Sequence, residues 1–265
     1  MAREQKAVLA GVDGSAPALD AVRWAARDAA LRKRPLRLIH VGEDADCLAE
    51  AETAAAAVPD GQIRGGARTG HPAERLIEES ATAVVVVLGS HGLGGFPGML
   101  LGSVAGALAA HAHCPVVVVR GAPPADAPVV VGIDASPGGD AALAFALDEA
   151  NLRRVPLLAV HTWTDMTMGE TWSVLPMDAD YGAIAEDERR LLAERLAGWR
   201  EKYPDVDVRP VVVRDRPVRG LLAAGQDAQL IVVGSRGRAD FGGVGLGSTS
   251  QALLHHAPCP VAVVR

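Results

Sequence analysis

A glycine-spaced pattern that could bind phosphate occurs twice in this chain. The first copy begins with Gly89-Ser90-His91-Gly92 and continues, after nine further residues, to Gly102-Ser103. The second copy repeats the same spacing from Gly234-Ser235-Arg236-Gly237 to Gly247-Ser248. Glycines let the backbone approach a ligand closely, so that successive N–H groups converge on phosphate oxygens, and the serines add hydroxyl donors. The repetition favours two anion-binding loops over the alternative, a long strand-to-helix turn without a ligand.

Two carboxylates and two histidines also occur at equivalent places of the two copies. Asp13 and Asp134 each follow an apolar run, and a carboxylate there is costly unless it meets a partner such as a metal ion, a hydroxyl or a backbone N–H. A simple Asx turn is the competing interpretation, and the sequence leaves both open. His40 and His161 each end another apolar run, where a structural histidine is more common than a catalytic one.

The elements that must position these residues alternate between short apolar runs and longer amphipathic segments. This alternation predicts an α/β fold in which crossover helices join the strands of a parallel sheet. Five strands are predicted in the first half, at Ala7 to Val12, Leu36 to Val41, Gln62 to Arg68, Val84 to Leu88 and Val116 to Val119. Ligands of such sheets bind beyond the strand carboxyl ends, where the strand order reverses. Each aspartate and its glycine loop are therefore expected to face one crevice.

The repeat predicts two tandem five-stranded, Rossmann-like domains. The starts of the halves match at an offset of 121 positions, whereas the glycine loops match at 145, so the second half has 24 additional residues. The insertion falls around Thr162 to Arg200 and contains several aromatic residues and methionines. It is expected to be a lid, a contact surface or a cover for the core of its own half. We predict domains at residues 1–122 and 128–265, with residues 123–127 as the linker.

Composition restricts the classes of partner. The 265 residues carry a formal net charge of -6 and show no cluster of Lys and Arg of the kind that nucleic acids require. No apolar stretch reaches the length that spans a membrane. The three cysteines, Cys47, Cys114 and Cys259, form no C-x-x-C motif, which fits a reducing compartment. We therefore expect a cytoplasmic protein that binds no nucleic acid and does not insert into a membrane.

With the G-x-x-G-x9-G-[ST] pattern, the aspartate after the first strand and the Cys-Pro-Val endings in place, the chain resembles tandem universal stress proteins over nearly its whole length. The resemblance implies five-stranded parallel α/β domains that bind ATP. It also implies phosphate contacts from the glycine loops and the hydroxyls that follow them, at Gly89, Gly92, Gly102, Ser103, Gly234, Gly237, Gly247, Ser248 and Ser250.

Further ligand contacts are implied by the same resemblance. Asp13 and Asp134 would meet the ribose and metal side of the nucleotide, with Mg²⁺ as the expected ion, and the backbone at Val41 and Thr162 would lie near adenine. The first half has Ala105 where the second has Ser250. One hydroxyl donor fewer predicts that the first site binds more weakly than the second.

The leading functional expectation is a nucleotide-dependent regulatory protein of the stress response, in which bound ATP sets a conformation or association state that an unidentified protein partner recognises. A slow ATPase or phosphotransferase is the second hypothesis, although no Walker lysine, paired carboxylates or His/Ser/Asp set is visible for catalysis. A nucleotide-free scaffold is the third. Family members often associate through their last strands, here Val116 to Arg120 and Val261 to Arg265. We therefore expect a pseudo-dimer of domains within one chain, and further pairing to a homodimer.

Overall fold

The computed structural model describes residues 5–43, 45–59, 62–94, 100–134, 137–164, 181–237 and 245–265. In the first half, strands and helices alternate along the chain. They are β1 (Ala7–Val12), α1 (Ala16–Arg32), β2 (Leu36–Val41), α2 (Cys47–Ala54), β3 (Ile63–Arg68), α3 (Pro72–Ser80), β4 (Ala83–Gly89), α4 (Ser103–His111) and β5 (Val116–Val119). The five strands lie where the sequence predicts them, with ends shifted by at most one residue.

The second half repeats this order. Its elements are β6 (Val129–Ile133), α5 (Pro137–Arg153), β7 (Leu157–Trp163), α6 (Tyr181–Lys202), β8 (Val208–Arg214), α7 (Pro217–Ala224), β9 (Leu230–Gly234), α8 (Ser248–His256) and β10 (Val261–Val264). The predicted fold class, two tandem α/β units with five-stranded parallel sheets, is confirmed. The predicted boundaries at residues 122 and 128 fall between β5 and β6 and stay a prediction.

All ten strands join into one sheet with the order β3-β2-β1-β4-β5-β10-β9-β6-β7-β8. Pairing is parallel within each half and antiparallel between β5 and β10, where Val117 lies opposite Ala262. The two last strands therefore pair with each other inside one chain. A homodimer that uses these same edges is not available to this arrangement, and the outer strands β3 and β8 are the edges that remain.

Two hydrophobic cores cover the two faces of the sheet. The alternation of side chains along a strand places Val8 and Ala10 in the core beneath α1, α2, α5 and α6. Leu9 points to the opposite core, beneath α3, α4, α7 and α8. Both cores contain residues of both halves, so the seam between β5 and β10 is packed on each face.

The halves also meet through a buried cluster of four charged side chains, which we call the charge tetrad: Asp28 and Arg32 of α1, and Glu149 and Arg153 of α5. Both carboxylates are fully buried. Arg153 binds Asp28 across the interface at 3.0 Å and Glu149 at 2.6 Å, and Arg32 binds Asp28 at 2.7 Å and also Glu149. Each acid and each arginine has its counterpart 121 positions later, so the tetrad obeys the pseudo-symmetry of the halves.

Burial, and after it the neighbouring negative charge of Glu149, raises the pKa of the Asp28 carboxyl to about 6, against the opposing effect of the two arginines. Charges in such a place are stable only as long as their partners remain. The loss of any one charge of the tetrad is therefore expected to weaken the contact between α1 and α5.

The insertion of the second half is described in part. Residues 165–180, which include the methionines Met166, Met168 and Met177 and the aromatic Trp172 of the insertion, lie outside the described residues. The 22 residues of α6 replace the eight of α2. Its Leu192 and Leu196 are buried in the core of the sheet, so this part of the insertion covers its own half. None of the helices that the structure describes is both long and apolar enough to cross a membrane.

Candidate functional site

The predicted site of the first half lies where the strand order reverses. β1 pairs with β2 on one side and with β4 on the other, so the segments that follow β1 and β4 leave the sheet next to each other. Asp13 follows β1, and the glycine loop begins at Gly89, the last residue of β4. The topology thus brings together two predicted site features that are 76 positions apart in the sequence.

The Asp13 carboxylate binds both of these segments. Its Oδ1 accepts hydrogen bonds from the backbone N–H of Ser15 at 3.0 Å and from the Ser15 hydroxyl at 2.6 Å, which is the Asx turn. Its Oδ2 accepts one from the N–H of Leu93 in the glycine loop, at 3.1 Å. A carboxylate offers about four acceptor positions, so one position, on Oδ2, has no partner among the described residues.

The first two glycines of the loop are required by close contacts within the protein. A Cβ on Gly89 would lie 2.6 Å from the carbonyl carbon of Pro17 and 2.9 Å from the nitrogen of Ala18, at the start of α1. A Cβ on Gly92 would collide with Oδ2 of Asp13. These positions therefore hold the loop against α1 and the carboxylate, in addition to any ligand contact.

The variant Gly89→Ala is expected to lose about 1–3 kcal/mol of unfolding free energy, the usual cost of overpacking, because backbone atoms of α1 cannot rotate away as a side chain would. Urea denaturation measures the loss. The matched control is Gly94→Ala in the same loop, where a Cβ meets no atom of the described residues within 4 Å. Equal stability of the two variants would show that the contact with α1 does not constrain position 89.

Helix α4 directs its N-terminus at the same place. Gly102 is its N-cap and donates its N–H to the Ser90 carbonyl at 2.7 Å, which closes the loop. No side chain caps the helix, and Ser103 is exposed in its first turn. The first N–H groups of a helix lack intrahelical partners and attract anions.

A cavity of about 340 Å³ lies between these segments. Its polar wall consists of the predicted residues Asp13, Gly89, Gly92, Gly102 and Ser103, together with His91. Its apolar wall includes Ile39, the predicted Val41, Pro72, Leu76 and Leu88. The volume and the combination of an apolar wall with a few polar groups are typical of small-molecule sites.

The second half repeats the arrangement in the part that is described, since residues 135–136 and 238–244 lie outside it. Asp134 follows β6, and a Cβ on Gly237 would lie 3.1 Å from its Oδ2. Gly247 caps α8 and donates its N–H to the Ser235 carbonyl at 2.8 Å. Gly234 ends β9 and Ser248 is exposed in the first turn of α8. The predicted residues are therefore placed as their counterparts are.

Helix α6 adds contacts that the first half does not have. Arg195 donates to the Asp134 carbonyl at 2.9 Å, and Glu188 binds Nε2 of His161 at 2.7 Å. Nδ1 of His161 bonds to the Ile133 carbonyl, as Nδ1 of His40 bonds to that of Val12. Both histidines thus fix the end of the first strand of their half, which is the structural role. Thr162 follows His161 in β7, and a Cβ on Gly220 of α7 would lie 2.8 Å from its Cγ2.

Ser250 has a partner within the protein. Its buried hydroxyl donates to the Gly234 carbonyl at 2.6 Å and so joins α8 to the end of β9. A hydroxyl has a single proton to donate, so in this arrangement none is left for a phosphate. The argument that the second site binds more tightly because of this hydroxyl therefore loses its basis.

Cys114 and Cys259 do not lie in the setting that a nucleophilic thiolate requires. Burial raises the pKa of the Cys114 and Cys259 thiols to about 12, which disfavours the thiolate that a nucleophile needs. No three His, Cys, Asp or Glu residues among those described surround a common metal position.

Sequence reasoning missed two sets of residues that join the halves. One is the charge tetrad, for which the signal was an acid four positions before an arginine in both halves. The other consists of Arg120 and Arg265, which follow β5 and β10. Arg120 donates to the carbonyl of His255 in α8, and Arg265 donates to that of Ala110 in α4. The repeated ending Val-Val-Arg was their signal.

Comparison with known proteins identifies relatives over almost the whole chain. The model of the universal stress protein family matches residues 5–59, 43–120 and 127–265. The universal stress protein Rv2623 of Mycobacterium tuberculosis is 40% identical, over 97% of this chain and 96% of its own. Rv2005c of the same organism is 41% identical, over 99% and 98%. The crystal structure of a universal stress protein from Archaeoglobus fulgidus has a TM-score of 0.68 at 20% identity and covers 99% of this chain and 97% of its own.

Proposed function

Because the chain belongs to the universal stress protein family, we propose that it binds ATP with Mg²⁺ and acts in the stress response as a nucleotide-dependent regulator. The observation that carries this proposal is the cavity of the first half, in which a helix N-terminus without a side-chain cap, a glycine loop and a carboxylate face an apolar wall. Such a site can hold a ligand that is anionic at one end and apolar at the other.

The two walls suggest how the nucleotide is oriented. The N–H groups at the start of α4 and in the glycine loop suit the phosphates. Ile39, Val41 and Leu76, on the apolar side, suit the flat face of the base. Adenine at Val41 and phosphates at Gly102 and Ser103 follow from this orientation, and Thr162, Gly247 and Ser248 take the same roles in the second half.

Asp13 suits the remaining part of the nucleotide. Its open acceptor position on Oδ2 can take a ribose hydroxyl or one coordination position of Mg²⁺, an ion that proteins often bind through one or two carboxylates and substrate phosphates. We assign Asp134 the same role. Bound Mg²⁺ would neutralise phosphate charge next to the Leu93 N–H that Asp13 already fixes.

Regulation is favoured over catalysis because the described residues that line the cavity include no lysine and one carboxylate, so they offer neither a Walker lysine nor paired carboxylates for phosphoryl transfer. Asp13, the carboxylate of its wall, is hydrogen-bonded to the turn and the loop. We propose the cytoplasm as the location of the protein. The protein partner is expected to recognise the nucleotide-bound form.

The test is mass spectrometry of the small molecules that freshly purified protein releases on denaturation, followed by titration calorimetry with Mg-ATP. We expect close to two equivalents of ATP per chain. ADP in place of ATP, with phosphate release that survives repurification, would favour a slow ATPase. If no nucleotide is released and none binds when ATP is added, the loops are structural and the scaffold hypothesis replaces this one.

A further inference from the structure

Arg120 connects the two halves at the edge of the first site. It follows β5, and its guanidinium donates to three backbone carbonyls. Two of these, His255 at 2.6 Å and Leu254 at 2.7 Å, belong to the last turn of α8 in the second half. The third belongs to Leu100, two residues before the N-cap of α4 in the first half. One side chain therefore holds a helix end of one half and the loop of the other.

The antiparallel pairing of β5 with β10 creates this contact. Val118 lies opposite Val261, the first residue of β10, so the residue after β5 reaches the turn between α8 and β10. There Gly121 has a left-handed backbone with φ of +66°, and a Cβ on it would lie 2.7 Å from the Pro258 carbonyl oxygen. The path of the chain after Arg120 is thus fixed against the second half.

The chemistry of the contact makes it rigid. The last carbonyls of a helix lack intrahelical donors, and a cation there is favoured by the helix dipole. A guanidinium offers its donors in a planar fork, so its bonds to α8 determine where the remaining donor points. That donor meets Leu100. Displacement of α8 along its axis must therefore move the guanidinium, the Leu100 carbonyl or both.

Helix α8 carries the second site at its other end. Gly247 and Ser248 form its N-terminus, and the helix from Ser248 to His256 has nine residues. A helix this short, about 14 Å long at 1.5 Å per residue, moves as a unit. A ligand that pulls its N-terminus shifts the carbonyls that Arg120 binds.

We infer that Arg120 is a positioning residue that holds the segment before Gly102 and couples ligand occupancy of the two halves through α8. The inference rests on the proposed function, since it assumes that both sites bind nucleotide. It makes the two sites of one chain interdependent.

Arg265 provides an internal control. It stands 145 positions after Arg120 and donates to the Ala110 carbonyl in the last turn of α4. Among the described residues it makes no corresponding bond to Gly245, the counterpart of Leu100. The two arginines therefore share the helix contact and differ in the loop contact.

The experiment is calorimetry with Mg-ATP on the full chain. The coupling is a ratio of two Kd values for ATP at the first site. The numerator is the Kd when the second site is closed by Gly237→Glu, and the denominator is the Kd when the second site is filled. We expect a ratio that differs from one by about fivefold or more in the wild type and in Arg265→Gln. In Arg120→Gln, whose side chain cannot span the three carbonyls, the ratio should fall to about one.

The outcomes separate this inference from the proposed function. If the wild type binds ATP at both sites with a ratio of one, or if the ratio persists in Arg120→Gln, the coupling is overturned while nucleotide binding stands. If ATP does not bind at all, the proposed function fails and the inference with it. Should Arg120→Gln not fold, Arg120→Lys carries the test, because an ammonium group keeps the charge without the planar fork.

Discussion

The variant Arg153→Met is expected to lose about 3–5 kcal/mol of unfolding free energy at pH 8, the usual cost of removing one partner from a buried ion pair. Methionine keeps most of the apolar stem but not the guanidinium, whose central carbon lies 4.8 Å from the centroid of the Trp24 ring, so the change removes the charge together with this cation–π contact. Asp28 and Glu149, both fully buried, would then share Arg32 alone. Urea denaturation measures the effect.

The loss of unfolding free energy in Arg153→Met depends on pH, because Asp28 of the tetrad changes its charge. The pKa of Asp28 in the folded protein is about 6 against an ordinary value of 3.8, so the folded state holds this proton more tightly than the unfolded state does. The stabilisation that comes from this tighter proton binding is complete below about pH 4 and is lost as the pH rises through 6. Removal of Arg153 takes away a charge that lowers this pKa, so the pKa of Asp28 is higher in the variant. The unfolding free energy of the variant therefore continues to fall above pH 6.

The difference between wild type and Arg153→Met should therefore be small at pH 5 and grow between pH 6 and 8, by about 1.4 kcal/mol for each unit of added pKa shift. Arg23→Met is the matched control on α1. Its ion pair with Asp20 is exposed, with 51% and 60% of the side chains accessible, and should contribute less than about 1 kcal/mol. A cost for Arg153→Met that is as small as the control, or that does not change with pH, would contradict this account of the tetrad.

The second large effect is expected on nucleotide binding. In Gly92→Glu the first site should lose ATP affinity by about two to three orders of magnitude, equivalent to about 3–4 kcal/mol. The new side chain displaces Asp13, whose Oδ2 lies where its Cβ must be, and adds a negative charge beside the phosphates. Calorimetry should find about one equivalent of ATP per chain in place of two.

Two further variants separate the causes of that loss. Gly92→Gln has nearly the same volume without the charge, so any difference in affinity from Gly92→Glu measures the repulsion of phosphate. Gly237→Glu makes the equivalent change in the second half, and the double variant should bind no ATP. If both single variants retain the stoichiometry and affinity of the wild type, the glycine loops are not the nucleotide sites.

The arrangement of the sheet could be predicted from the sequence because its signal is local and repeated. Unbroken apolar runs such as Val84 to Leu88 are typical of strands buried on both faces, and the duplicated glycine spacing marks where two of them end. The convergence of Asp13 with the glycine loop follows from strand order alone. These features need no knowledge of side-chain conformation.

The contacts that decide between roles depend on three-dimensional position. Whether Asp13 forms an Asx turn or also reaches Leu93, and whether Ser250 faces a ligand or the Gly234 carbonyl, is a matter of a few ångströms. The tetrad and Arg120 depend on how one half lies against the other, which no local pattern specifies. Sequence reasoning therefore predicted which residues come together at the candidate site and missed the connections between its two copies.

The pairing of β5 with β10 inside one chain has a consequence for how the two halves can change over generations. In a dimer of identical subunits every substitution appears on both sides of the interface at once. Here each side is encoded separately, while the peptide chain keeps the halves in equal number. His91 and Arg236 already differ at equivalent positions of the two loops. The covalent joint therefore lets one half specialise while the other retains its original chemistry.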